Sequence, residues 1–260
     1  MRIIISPAKK MKIDNDVLYH RYMPVFIDKA QELLGYMRGL SYHELKTLWQ
    51  CNDSIGRLNY DRIRNMDLYN NLTPAILSFE GIQYQYMAPG VFEYAQLDYI
   101  DEHLRILSGF YGVLRPFDGV VPYRLEMQAR PKDWKYKSLY EFWASEIAEK
   151  LFSESKCILN LASKEYSKCI SNYLTEDIKF VTCVFGEMKN GKVVEKGTLV
   201  KMARGEMVRF MAENEILNIE DIKGFNRLGY VFKKELSDEN NYVFVKEIEE
   251  KSRNKEWNDG

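Results

Sequence analysis

Two apolar runs in the 260-residue chain end in similar chemistry. IIISPAK places Ser6 and Lys9 just after one strand-like run, and ILNLASKEYSK places Ser163, Lys164, Glu165, Tyr166 and Lys168 after another, where a helix would open. Ligands of open α/β sheets bind beyond the carboxyl ends of strands, and the free N–H groups of a helix N-terminus favour an anion. The two loops are therefore candidate walls of one anion-accepting pocket, with simple helix capping as the alternative role for Ser163. Neither loop has the glycine spacing of a P-loop or a dinucleotide fingerprint.

PYRLEM adds a pair of charges. Period 2 places Arg124 and Glu126 on one face of an extended segment, where they can pair. If that face is inward, the charges need a site or a network to offset their desolvation. If it is outward, they are an ordinary surface pair. Arg115, between Leu114 and Pro116, poses the same question. In LVKMARGEMVRF, Ala203, Met207, Phe210 and Met211 form a buried stripe, while Lys201 and Arg204 project together at i, i+3. With the helix expected from about Ala203 to Asn214, these cations oppose the macrodipole at its start, a cost that an anionic ligand would offset. Glu126 and Glu165 are the candidate acid/base groups. Ser6, Lys9, Arg115, Arg124, Ser163, Lys168, Lys201, Arg204 and Arg209 are the candidate anion-binding or nucleic-acid-binding set.

The 37 Lys and Arg balance 38 Asp and Glu, so a net charge of -1 creates no whole-molecule field for a polyanion. Local clustering has to supply it. Residues 1–12 carry four basic and no acidic side chains, residues 103–137 seven and three, and residues 189–210 six and two. Aromatics, among them Phe110, Tyr111, Tyr123 and Trp134, interleave the middle window as a nucleic-acid surface requires, although core packing explains most of them. Cys51, Cys157, Cys169 and Cys183 contain no C-x-x-C pair, and His20, His43 and His103 lack metal-ligand spacing. No metal site and no cofactor are expected. Cys157 and Cys183 read as buried hydrophobes, and Cys169 beside Lys168 is the thiol whose neighbour could lower its pKa. MRIIISPAKK is too short in apolar residues for a signal peptide and no run approaches a membrane span, so a cytoplasmic protein without a membrane partner is expected.

The elements that must position these groups alternate between strand and helix. Residues 2–6 and CILNLAS read as buried strands. Helices are expected from Pro24 to about Gly39, from a Ser41/Glu44 capping box, and over Ser54 to about Asn65. Residues 74–79 fit either a short strand or a helical turn. Glu93–Leu107 carries Tyr94, Leu97, Ile100, Leu104 and Leu107 at helical spacing. Ser138 and Glu141 cap a helix with a stripe from Leu139 to Leu151, and KEYSKCIS forms a short helix. Residues 178–200 form a hairpin around Asn190-Gly191, and residues 230–248 form a second. The resulting expectation is a mixed α/β (α+β) fold in a single compact domain over residues 1–250. It has a mixed sheet with antiparallel hairpins, flanking helices and a basic cleft, followed by a polar frayed tail at 251–260.

Taken together, ISPAK (5–9), LRILSGFYGVLRPFD (104–118), PYRLEM (122–127), LYEFW (139–143), NLASKEYSK (160–168), ARGEMVRF (203–210) and GFNRLGYVF (224–232) resemble, in order, the motifs of the YaaA family. This is the peroxide stress resistance family, much of it catalogued as uncharacterised protein. The resemblance implies a cytoplasmic bacterial protein that limits peroxide damage by lowering free intracellular iron. It also implies a family-specific α/β fold with a positively charged cleft and a helix-hairpin-helix element, and binding of DNA; phosphate contacts from the cationic windows lining one cleft would make binding of double-stranded DNA largely independent of sequence. LSGFYG is the nearest match to that element, but two residues rather than one separate Gly109 and Gly112. Gln128 stands where the family favours Gly, and Met202 where a basic residue is frequent. The alternative partner is a nucleotide-like anionic small molecule, bound or turned over as substrate. No iron-storage pattern such as paired E-x-x-H helices is present, so an effect on iron is expected to be indirect.

Overall fold

The structure, a computed structural model, describes residues 1–14 and 18–247. Its main sheet contains β1 (Arg2–Ile5), β2 (Leu104–Ser108), β3 (Gly112–Leu114), β4 (Cys157–Leu161), β5 (Lys179–Lys189), β6 (Lys192–Val194), β7 (Tyr230–Phe232) and β8 (Asn241–Lys246). The spatial order is β7-β8-β5-β4-β1-β2-β3, with β6 folded back on the end of β5. The five inner strands are parallel, and each edge is closed by an antiparallel hairpin partner. Ile3 lies opposite both Leu104 and Leu159, which places the Ile3–Ile5 run at the centre of the sheet with no exposure. This is the mixed α/β fold with antiparallel hairpins that the sequence pattern predicts.

Ten α-helices accompany the sheet among the described residues: α1 (Ile27–Gly39), α2 (Tyr42–Trp49), α3 (Asp53–Asn65), α4 (Ala75–Ser78), α5 (Ile82–Met87), α6 (Tyr94–His103), α7 (Leu139–Trp143), α8 (Glu146–Glu154), α9 (Lys164–Ser171) and α10 (Gly197–Glu213). The capping box at Ser41 and Glu44 is present, and Asn52 caps α3. Within residues 74–79, Ala75–Ser78 form the helical turn α4, and Pro74 and Phe79 belong to the short ladders on either side of it. The turn at Asn190-Gly191 has φ of 50° and 74°, the left-handed pair that a two-residue hairpin needs.

Three expectations are corrected. The helix read over Glu93–Leu107 ends at His103, and Leu104–Ser108 is an inner strand buried at every residue. A strand covered on both faces shows no alternation, so Leu104 and Leu107 simply extend the helical spacing of Ile100. LSGFYG is consequently the turn of a β-hairpin, β2 to β3, and no helix-hairpin-helix lies there. The stripe from Leu139 to Leu151 is split between α7 and α8 at Ala144, which has φ 44° and ψ -130°. Finally, α10 begins at Gly197, six residues early, so Lys201 and Arg204 lie inside the helix and do not oppose its N-terminal dipole. The expected tail at 251–260 lies outside the described residues.

One continuous apolar core runs from Ile3 to Phe244 and includes Trp143, Phe110 and Phe185 at full burial. Among the described residues no helix is long and apolar enough to cross a membrane.

Candidate functional site

The chain leaves β1 for β2 on one side, whereas β4 joins β1 on the other. The crevice beyond the carboxyl ends of β1 and β4 is thus the switch point of the sheet, where such sheets bind ligands. Ser6 and Ser163 meet there. Ser6 Oγ accepts the backbone N–H of Ser163 at 2.8 Å and donates to Ser163 Oγ at 3.2 Å. Ser163 is the N-cap residue of α9, yet its side chain makes no capping bond, which leaves the N-terminus of that helix without a side-chain cap. Tyr84 OH donates to the Ser6 carbonyl at 3.0 Å and ties α5 to the same loop.

The Arg124–Glu126 segment reaches this crevice by close backbone packing. A Cβ at Gly109 would lie 2.6 Å from the carbonyl oxygen of Leu125, so only glycine admits that approach. Tyr123 OH and Ser108 Oγ, 2.6 Å apart, fasten the segment to β2. The charged face is inward: Glu126, 15% exposed, accepts from Lys9 Nζ at 2.7 Å and from Arg124 at 3.2 Å. Glu165 has no such cationic partner among the described residues. Its Oε1 accepts the backbone N–H of Gln128 at 3.2 Å. Burial pushes its carboxyl above the ordinary glutamate range, with the negative charge of Glu126 adding to the shift and the Gln128 N–H opposing it.

The facing wall is made by α5 and α10. A Cβ on Gly205 would sit 2.1 Å from the Gln83 carbonyl, so glycine in mid-helix lets the two backbones touch and brings Arg204 beside Gln83. The walls enclose about 400 Å³, lined by Ser6, Lys9, Lys10, Glu80, Gln83, Tyr84, Tyr123, Arg124, Glu126, Ser163, Glu165, Tyr166, Lys201 and Arg204 together with smaller neighbours. Three of these residues carry a buried nitrogen with no hydrogen-bond partner among the described residues: Gln83 Nε2, Arg124 Nε and Arg204 Nε. Burial lowers the pKa of Arg204, with Glu195 and Cys183 opposing, but a guanidinium remains charged. Such donors each cost about 1–3 kcal/mol until an acceptor meets them.

Residues 1–236 match the family model described as peroxide stress protein YaaA. The chain belongs to this family. It is 57% identical over 251 residues to a UPF0246 protein of Desulfitobacterium hafniense (strain Y51), covering 96% of this chain and 100% of that one. It is 56% identical to a UPF0246 protein of Agathobacter rectalis, over 95% of this chain and 100% of that protein. A UPF0246 protein of Pediococcus pentosaceus is 51% identical, with 95% and 98% covered.

Within this YaaA-family chain, Ser6, Lys9, Arg124, Glu126, Ser163, Glu165, Lys201 and Arg204 face one cleft, and three other candidates do not. Arg115 follows β3, which runs antiparallel to β2 and carries it back to the amino ends of the parallel strands. There its guanidinium lies 4.7 Å from the centre of the Tyr22 ring, in a separate cleft with Arg105, Asp118, Lys150 and Glu154. Lys168 is exposed on α9 with its amine 4.9 Å from the Tyr140 ring centre. Arg209 is turned away from Arg204 around α10 and bonds Glu213 at 2.7 Å. Cys169 is buried, and burial pushes its thiol up to about 12, with Lys168 only a minor opposing influence. Among the described residues no three His, Cys, Asp or Glu side chains are grouped to hold a metal ion.

Sequence reasoning missed Glu80, Gln83 and Tyr84. The short segment IQYQYM shows too little periodicity to announce α5, and the importance of Gln83 depends on Gly205, far away in sequence. The glycine inside a helical stripe, in ARGEM, was the available signal.

Proposed function

We propose that the cleft binds an anionic ligand of nucleotide size, and that the protein contributes to peroxide resistance through this ligand in the bacterial cytoplasm. The observation that carries this reading is that Gln83, Arg124 and Arg204 line one cavity and each carries a buried side-chain nitrogen, Nε2, Nε and Nε, with no hydrogen-bond partner among the described residues. Phosphate oxygens are the acceptors that arginine forks match best. Lys9, Lys10 and Lys201 supply further positive charge, against Glu80, Glu126 and Glu165. A volume of about 400 Å³ is in the range of small-ligand sites. On this reading any lowering of free iron follows indirectly from ligand binding, and no cofactor is involved.

A second reading is binding of DNA or another polyanion, favoured by the exposure of Lys9 and Lys10, 65% and 77%, at the mouth of the cleft. Arg124, with only 10% of its side chain exposed, lies too deep for an intact duplex backbone. Isothermal titration with nucleoside 5′-monophosphates and with a DNA duplex separates the two readings. Saturable monophosphate binding that Arg204→Ala weakens at least tenfold supports the first. Binding confined to DNA, with a salt slope flattened by the Lys201→Ala/Arg204→Ala double variant, supports the second.

A further inference from the structure

Two carboxyl groups share this cleft in opposite surroundings. Glu126 is held by two cations, Lys9 at 2.7 Å and Arg124 at 3.2 Å. Glu165 is half-buried, is approached by the backbone N–H groups of Gln128 and Met127, and has no salt bridge among the described residues, although the Lys9 charge also acts on it. Paired carboxyls whose environments separate their proton affinities are the arrangement that runs acid and base chemistry in one site. A glycosidic bond needs that combination: an acid to protonate the departing group and a carboxylate to activate water or steady the developing positive charge. A serine-nucleophile route is less well served. Ser6 Oγ is engaged by the N–H and Oγ of Ser163, and neither hydroxyl is bonded to a carboxylate or imidazole among the described residues.

Building on the anion-binding reading above, we infer that the cleft hydrolyses the N-glycosidic bond of a nucleotide 5′-phosphate, with Glu165 as general acid and Glu126 as general base. Arg124 and Arg204 hold the phosphate as an unreacting handle. The Gln83 amide, 6% exposed and with its NH₂ group unpaired among the described residues, bonds the polar edge of the base, as amide side chains do with purines. Glu126 takes a proton from water as the water oxygen bonds the anomeric carbon. The carbon–nitrogen bond breaks, its electron pair stays with the base, and Glu165 delivers its proton to the base nitrogen. The products are the free base and the sugar phosphate. Solvent then returns the proton from Glu126 to Glu165, and nothing is oxidised or reduced.

The burial-raised proton affinity of Glu165 supports this division of roles, because the acid must enter the reaction protonated. The experiment incubates the full chain with each common nucleoside 5′-monophosphate and with a single-stranded oligonucleotide in ¹⁸O-water. Free base and labelled sugar phosphate are quantified by mass spectrometry, and binding is titrated in parallel. Base release with ¹⁸O on the sugar is expected, and Glu165→Gln should lower the rate at least about 100-fold while binding and thermal melting are retained. The wild-type rate should fall as pH rises through the Glu165 pKa, and that limb should be absent in the residual activity of Glu165→Gln. Release from monophosphates identifies a free nucleotide as the source, and release from the oligonucleotide alone identifies nucleic acid. Binding without base release overturns this inference and leaves the binding reading intact. No binding of either overturns both, and unchanged release in Glu165→Gln and Glu126→Gln overturns the assigned roles.

Discussion

Ser6 Oγ accepts the backbone N–H of Ser163 at 2.8 Å across 157 positions of sequence. The bond closes the two strand-end loops on each other and satisfies a donor at the start of α9 that the Ser163 side chain does not serve. Ser6→Ala removes the acceptor without adding bulk. It is expected to destabilise the protein by about 1–2 kcal/mol in urea unfolding, with an unchanged m-value. Equal stability of the variant would mean that the loops are positioned by packing alone.

Gly205 sets the opposite wall. Alanine is the better helix former by about 1 kcal/mol, so helix propensity alone predicts that Gly205→Ala stabilises α10. Its Cβ would meet the Gln83 carbonyl at 2.1 Å, a backbone atom that cannot turn aside. The clash should win, giving a net loss of about 1–3 kcal/mol and weaker ligand binding as α5 is pushed from Arg204. Urea unfolding and calorimetric titration of the same variant check both effects.

What the sequence made legible follows from burial and distance. β1 and β4 are continuous apolar runs with clear breaks after them, so both strand ends and their serines could be read directly. β2 could not, because Leu104 and Leu107 keep helical spacing with Ile100 while lying in a strand covered on both faces. Period 2 leaves the direction of Arg124 and Glu126 open; their low side-chain exposure and their place in the lining of the cleft decide it, which only the fold reveals. Arg115 was misplaced for a topological reason: the antiparallel return of β3 sends it to the other end of the sheet.

That other end holds a buried ion cluster. Glu154 accepts from Arg2 at 2.9 Å, Arg105 at 2.8 Å and Lys150 at 3.1 Å, and Arg105 is only 5% exposed. Burial pushes the Glu154 carboxyl up, but Arg105, Arg2 and Lys150 together outweigh it and leave its pKa below the ordinary value. Glu154→Gln should cost about 3–5 kcal/mol at pH 7 because Arg105 keeps its charge in a buried position. The depressed pKa also fixes a sign. The stabilisation is present above the unfolded value of about 4.3 and is lost as pH falls through the lower folded value. The wild type should therefore lose more stability than Glu154→Gln between pH 5 and pH 2 in thermal melts.

Asp118, in the same cleft as Arg115, has the opposite sign. It is 2% exposed, its Oδ2 accepts the backbone N–H of Arg115 at 2.8 Å, and its Oδ1 has no hydrogen-bond partner among the described residues. Burial raises its pKa to about 7, against the opposing Arg115 N–H and the charges of Arg115 and Arg105. Because the folded state binds the proton more tightly than the unfolded state, Asp118 favours folding most below about pH 4. This contribution is lost as pH rises to about 7 and is constant above it. Asparagine mimics the protonated carboxyl at every pH. Asp118→Asn should match the wild type near pH 4 and exceed it at pH 8 by up to about 4 kcal/mol, three pKa units at 1.36 kcal/mol each. Urea unfolding at the two pH values tests this directly, and a variant less stable at pH 8 than at pH 4 relative to wild type would reverse the assignment.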